Sequence, residues 1–225
     1  TRYLKAGATR VNFALFAGLF MAMGVVIGAT WGIGISKSLG ATGDAIIRLL
    51  LGIIIFSVFL VMLFAKTREI KPTVGKWGKA LGLWGKFYDP GEGREVEFAA
   101  RRIPIAAGLY MLVGFISGAF GLGAGWALTP INNLVLGLPL KVAIATTVAT
   151  FIISDAAGLV TYMHEGGTIS YIMVPVMLGA AVGATFGSKV ALKAKPKWLR
   201  YLLLAILAFA AYQLIQRGLQ GLGII

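Results

Sequence analysis

Between two long apolar runs lies GLGAGWALTPINN, Gly121 to Asn133, whose residue types suit the binding of an anion. Gly121, Gly123 and Gly125 permit backbone conformations closed to other residues, and Pro130, lacking an amide hydrogen, can start a short helix. Such a helix presents unpaired N–H groups and the positive end of its dipole to the cavity it faces. Asn132 and Asn133 add donors and acceptors without charge, and Thr146 and Thr147 add hydroxyls from the following run. The plainer alternative is a glycine turn at a membrane surface, with the asparagines capping or bonding between helices. Asp155 lies near the centre of an apolar run, where a carboxylate must pair, protonate or face water. It is the candidate for ion coupling, unless it sits at an interface near His164 and Glu165. Lys141 either draws anions to a cytoplasmic mouth or simply snorkels as a topology signal.

Other chemistry finds little support. No serine-histidine-acid set, paired catalytic carboxylates or phosphate loop occurs, so an enzyme is not expected. With no cysteine and one histidine, neither a disulfide framework nor a metal centre is expected, and no cofactor is implied.

The elements that must position these residues are membrane helices. The 225 residues are 58% hydrophobic and 13% charged, with mean hydropathy +0.86, far more apolar than a soluble core requires. A net charge of +13 could suggest nucleic acid, but the cations flank apolar runs instead of forming a basic face on a polar domain. Spans are expected over Val11 to Gly34, Ala45 to Ala65, Ile103 to Leu122, Leu138 to Met163, Ile169 to Leu192 and Trp198 to Gln216. Trp126 to Leu136 reaches only about half the bilayer at ~1.5 Å per residue, so Ile103 to Leu136 is expected to be a broken or re-entrant hairpin.

The segment Lys66 to Arg102 carries nine Lys/Arg against five acids and reads as a solvated loop, with a short helix laying Trp77 and Trp84 at the headgroups. Nearly cation-free loops are expected at Ser36 to Asp44 and His164 to Thr168. Counting cations places the N-terminus, the 66–102 loop, Lys141 and the Lys193 to Arg200 turn in the cytoplasm.

GVVIGATWG at Gly24 to Gly32 recurs as GAAVGATFG at Gly179 to Gly187, 155 residues later, each copy followed by a polar turn and a last apolar helix. In the inferred orientation the copies cross the membrane in opposite senses, the arrangement in which secondary transporters hold substrate at discontinuous helices. Their glycines, four apart, form one helix face and are expected to pack. The fold class is thus all-α: a polytopic membrane bundle with inverted-topology repeats. It divides into 1–65 (two spans of a first repeat), 66–102 (basic loop) and 103–225 (hairpin plus three spans).

At GLGAG, Pro130, GLPLKVA (Gly137 to Ala143), ATT (Ala145 to Thr147) and TYMHEGG, the chain resembles the sulfite exporter TauE/SafE family. Ala124 stands for a glycine of that pattern, ATT for the more usual GTS, and Asp155 for an uncharged polar residue. The family's first-half glycine hairpin has no counterpart in these residues. The resemblance implies outward movement of sulfite, a sulfonate or a related organic anion across a prokaryotic cell membrane by alternating access. Gly121, Gly123, Gly125, Pro130, Asn132, Asn133, Thr146 and Thr147 would contact the anion. The expected partners are that anion and membrane lipid, with a second copy or a partner chain also open. The competing expectation is a non-transporting anchor subunit of a larger complex.

Overall fold

A computed structural model describes residues 2–64, 75–121, 123–165 and 170–224; positions 66–74 of the expected basic loop, 166–168 of the expected His164 to Thr168 loop and 169 of the span after it lie outside these. The elements are α1 (Arg2–Lys5), α2 (Val11–Phe64), α3 (Lys76–Ala80), β1 (Trp84–Asp89), β2 (Arg94–Ala99), α4 (Ile103–Phe120), α5 (Gly125–Pro130), a π-helical turn (Ile131–Val135), α6 (Leu140–His164), α7 (Ser170–Lys193) and α8 (Pro196–Gly221). Among the described residues six helical stretches are long and apolar enough to cross a bilayer. The protein is an all-α, multi-pass membrane bundle with one small β-hairpin.

The loop expected at Ser36 to Asp44 is wound as helix, so that α2 runs unbroken over 54 residues. A straight rod of that length would extend about 80 Å. Yet Arg200 donates to the carbonyl of Met62 at 3.0 Å, and its neighbour Leu199 shares a small crevice with Tyr3 and Lys141. Both ends of α2 therefore lie at one end of the bundle. Its two arms, Val11–Gly34 and Ala45–Phe64, are joined by a helical corner in place of an extended loop.

The first arm packs on α4 through glycine. A Cβ placed on Gly24, Gly28 or Gly32 would lie 2.1, 2.0 or 2.1 Å from the carbonyl oxygens of Met111, Phe115 and Ala119. In return, Gly114 and Gly118 meet the carbonyls of Met21 and Val25, each at 2.2 Å. The pairs rise together in number, so the helices are parallel and touch backbone to backbone, the small-residue mode of membrane helices. The arm also runs parallel to α6, as Thr9 with Thr146, Gly18 with Ile153 and Val25 with Gly158 show. α8 lies antiparallel on the second arm, with Gly52 against Ile215 and Gly218 against Leu49.

The glycine-rich copy on α7 runs opposite to the first, since the end of α7 reaches the start of α6, where Lys141 Nζ donates to the carbonyl of Leu192 at 3.1 Å. There the two copies part. Among the described residues a Cβ on Gly179, Gly183 or Gly187 would meet nothing within 4 Å, and every residue from Val174 to Gly187 is exposed.

The expected loop carries more structure than a short helix. Trp77 is on α3 and exposed, but Trp84 opens β1, where the Arg10 guanidinium lies over its ring at 5.2 Å. β1 and β2 pair antiparallel from Trp84↔Ala99 to Asp89↔Arg94, closing through Pro90 to Gly93, with Gly93 in the left-handed region at φ 66°. Alternation along β1 turns Gly85, Phe87 and Asp89 inward. Leu83, Phe87, Phe98 and Ala100 join one apolar cluster with Tyr3, Ala8 and Phe13, so the hairpin is seated on the bundle end.

Candidate functional site

The α4–α5 hairpin is built from its glycines outward. Gly121 ends α4 in the left-handed region at φ 64°, and its N–H is taken by the carbonyl of Ser117 at 2.8 Å. Gly123 is also left-handed at φ 59°, with no described residue within 4 Å of where a Cβ would project. Here a side chain would be strained by about 1–2 kcal/mol, which accounts for glycine at both positions.

Helix resumes at Gly125, not at Pro130 as expected from the proline's missing N–H. Pro130 is instead the last residue of α5. There it removes one intrahelical donor, and the backbone widens into the π turn, closed by Leu136 N–H to the carbonyl of Ile131 at 3.1 Å. The turn places Asn132 inward.

Depth follows from the neighbours. A Cβ on Gly125 would sit 3.5 Å from the ring of Phe151, 11 residues along α6, or about 16 Å from its start. That is roughly half of a ~30 Å hydrocarbon core. Gly121 lies higher, its would-be Cβ 3.5 Å from the Tyr162 hydroxyl, which itself donates to the carbonyl of Gly118. At the other end Arg101 N–H meets the carbonyl of Leu136 at 3.0 Å, so α5 and the π turn climb only partway. The first amides of α5, at Gly125 and Trp126, have no intrahelical acceptor and lie near mid-depth.

Below them is a closed polar cluster. Asn132 is fully buried: its Oδ1 accepts from the Tyr110 hydroxyl, and its Nδ2 donates to Thr147 Oγ1 at 3.0 Å and the Ala143 carbonyl at 3.3 Å. Thr129 Oγ1 donates to Thr147 Oγ1 at 3.2 Å, and Thr146 Oγ1 lies 2.9 Å from Thr9 Oγ1. Asn133 turns elsewhere, donating to the Leu138 carbonyl at 2.8 Å from a half-buried position. The structure thus brings Asn132 and Thr147 together and puts Thr146 and Asn133 to either side. Because every partner is buried, exchanging Asn132 for leucine takes the acceptor from the Tyr110 hydroxyl and leaves Thr147 Oγ1 with Thr129 alone of its two donors. An Asn132→Leu and Thr147→Val double-mutant cycle should show a coupling of about 0.6–1.7 kcal/mol in detergent unfolding, the span of interhelical hydrogen bonds.

One group is left over. Trp126 packs between the two apolar clusters of the bundle, and its indole Nε1 is buried with no hydrogen-bond partner among the described residues. Burying such a donor costs about 1–3 kcal/mol. A missing acceptor is the ordinary explanation for a group of this kind.

Asp155 and Lys141 lie apart from the Asn132 cluster. Asp155 is exposed on α6, touched by Ser154 Oγ at 3.3 Å, and is not part of the Asn132 cluster. Lys141 is buried in an ion pair: its Nζ is 2.5 Å from Asp89 Oδ1, with side-chain exposures of 3% and 4%. Asp89 also accepts from the N–H groups of Gly91 and Glu92. Tyr110, Thr129, Thr9, Trp126 and Asp89 all escape a reading of the sequence. Only Asp89 carries a signal, an acid followed by Pro-Gly in a hairpin turn, and its distance from Lys141 in the chain hides the pairing.

A family model described as Sulfite exporter TauE/SafE matches residues 1–214. The chain is 28% identical over 115 residues to the probable membrane transporter protein YunE of Bacillus subtilis, covering 51% of this chain and 42% of that protein. It is 33% identical over 106 residues to a probable membrane transporter protein of Methanocaldococcus jannaschii, covering 43% of this chain and 39% of the relative. The matched stretch thus spans about two-fifths of each relative's length. No solved structure matches.

Proposed function

Given that the chain belongs to the sulfite exporter TauE/SafE family, a family of membrane transporters, we propose that it moves sulfite, a sulfonate or a related small organic anion outward across a prokaryotic cell membrane. The observation that carries the anion reading is the buried Nε1 of Trp126, without a hydrogen-bond partner among the described residues, one residue into a helix whose first amides lie near mid-depth. An N–H donor of this kind and the amides of Gly125 and Trp126 suit an oxyanion's acceptor-rich surface. Gly123 leaves room for its approach, and the Asn132–Thr147 pair lies one step further in, to be opened as the anion is handed on. The N-terminus and the 66–102 segment face the cytoplasm in this reading, which the cation distribution supports.

Efflux of sulfite and of methanesulfonate from proteoliposomes tests it. Trp126→Phe keeps an aromatic side chain and removes the donor together with the fused five-membered ring. It is expected to raise the half-saturating anion concentration about tenfold, the equivalent of one lost hydrogen bond of ~1.4 kcal/mol to a charged group, while relief of the unpaired donor and loss of packing under the smaller ring act on stability in opposite directions. Unchanged efflux kinetics in Trp126→Phe would remove this site.

Asp155 is proposed as the ion-coupling residue because a carboxylate partway along a membrane helix is rarely idle. Asp155→Asn should flatten the pH dependence of efflux; an identical pH profile in the variant denies it that role.

A second reading, a membrane subunit working with another chain, is favoured by the uncovered length of α7. A fixed stoichiometric partner in the purified native particle, with no anion flux, would support it over transport.

A further inference from the structure

We propose that the β-hairpin is a gate over one end of the bundle, latched by the Lys141–Asp89 pair, and that the transported oxyanion opens it by taking the place of the Asp89 carboxylate on Lys141. The inference rests on the anion-transport reading above and adds where the anion first binds and what that binding moves.

The hairpin is rooted on one side and pinned on the other. At its root Asn12 Nδ2 donates to the Leu81 carbonyl at 3.0 Å, Arg10 Nη1 to the Trp84 carbonyl at 3.0 Å, and the Ala100 N–H to the Leu83 carbonyl at 2.9 Å. Phe87 and Phe98 are buried there in the apolar cluster that also holds Leu136, Leu138 and Val142. The tip is different. Tyr88, Pro90, Glu92 and Arg94 are exposed, and the contacts are polar: Asp89 Oδ1 on Lys141 Nζ, and Gly91 against the carbonyls of Lys193 and Ala194. Apolar packing holds the root, and a charge pair holds the tip.

Such a pair is suited to exchange. Its attraction is largely spent on drawing two charges out of water, whereas withdrawing one partner leaves the other bare at great cost. Lys141 therefore releases Asp89 readily only to another anion. A sulfite or sulfonate oxygen offers the ammonium the same charge-assisted hydrogen bond. Asp89 loses little by leaving, because the Gly91 and Glu92 amides donate to the same oxygen at 2.8 and 3.3 Å and travel with it as the turn lifts into water.

The ground beneath the tip leads inward. Lys141 borders a small crevice lined by Tyr3, Ile144, Leu192 and Leu199. Two residues along α6 the Ala143 carbonyl accepts from Asn132, and Thr147 is six residues along, about 9 Å of helix. With the sidedness given above, this is the cytoplasmic end, from which an exported anion arrives.

The chain's lack of cysteine lets two be placed where the tip meets the bundle. Glu92 and Lys195 are each one residue from the contact of Gly91 with the Ala194 carbonyl, and the Glu92 side chain gives up an exposed ion pair with Arg94. The full chain carrying Glu92→Cys and Lys195→Cys is reconstituted in nanodiscs with a maleimide spin label on both, and their separation is read by pulsed EPR. A longer distance is expected to grow in with methanesulfonate and not with potassium chloride of equal ionic strength. Equal lengthening in chloride overturns the proposal, because that is screening, and so does a distance that neither salt changes. Asp89→Asn removes the charge and keeps an acceptor for the turn amides, so the longer distance should be present in it before any anion is added. A closed tip in that variant also overturns the latch.

In proteoliposomes, bridging the two cysteines with a short bismaleimide should lower methanesulfonate efflux about tenfold or more, against the same cysteines capped with N-ethylmaleimide. Equal efflux from bridged and capped protein would show that the tip gates nothing. Should the capped protein and its parent both carry no anion, the transport reading fails, and the EPR distance still decides whether an anion opens the latch.

Discussion

Lys141→Met is expected to lower the stability of the purified protein by about 3 kcal/mol, because it strands Asp89 as an uncompensated charge in a nearly dry setting. The range for breaking such a pair is about 3–5 kcal/mol. The lower end applies because the Gly91 and Glu92 amides still donate to the carboxylate. Adding Asp89→Leu should restore most of the loss, since replacing both partners with apolar groups of similar volume is often close to neutral. Denaturant unfolding in a fixed detergent measures both. A single variant as stable as the parent, or a double variant worse than either single one, would show that the pair is not what holds the hairpin down. Position adds a second readout. A Cβ on Gly91 would lie 2.6 Å from Lys141 Nζ and 2.8 Å from the Ala194 carbonyl, so the turn is wedged between the start of α6 and the end of α7. Limited proteolysis near residues 90–93 should accelerate in Lys141→Met and return to its original rate in the double variant.

Gly28→Val should prevent assembly of the bundle, and even Gly28→Ala should cost about 3 kcal/mol or more. Overpacked side chains typically cost about 1–3 kcal/mol when neighbouring rotamers can give way. At Gly28 the obstacle is the Phe115 carbonyl oxygen 2.0 Å away and the Ala119 amide nitrogen at 2.9 Å, which move only if α4 as a whole moves. Gly183→Val, at the corresponding place on α7, should be tolerated by the same chain. Yield and monodispersity after membrane extraction compare the two directly. Equal recovery would contradict the backbone contact between α2 and α4.

This contrast also marks where the sequence stops being legible. The apolar runs, the broken hairpin at Gly121 to Gly125 and the short arm after it are visible, because bilayer thickness and glycine's backbone freedom act locally. Asn132 and Thr147, both singled out as polar groups beside a break, do meet. Hidden were the contacts made across distance. Nothing near Lys141 indicates Asp89, 52 residues earlier, and nothing near Asn132 indicates Tyr110. The strands Trp84–Asp89 and Arg94–Ala99 were obscured by charge, since Lys86, Glu95 and Glu97 alternate with inward residues on a surface hairpin. Lys86 and Glu97, directly opposite each other, are 2.6 Å apart. Pro130 misled because a missing N–H serves the start of a helix as readily as its distortion further along, and only the π turn after it shows which.

The joint between the first arm of α2 and α4 has no side chains between its backbones, only oxygens resting against bare α-carbons. Such a seam resists sliding, for a shift of one residue would bring the Cβ of Met23 or Val25 onto a carbonyl where a glycine now lies. The two helices therefore travel as a single plate. For the transport proposed above, the left-handed glycines 121 and 123 are the expected hinge, about which α5 would tilt against that plate.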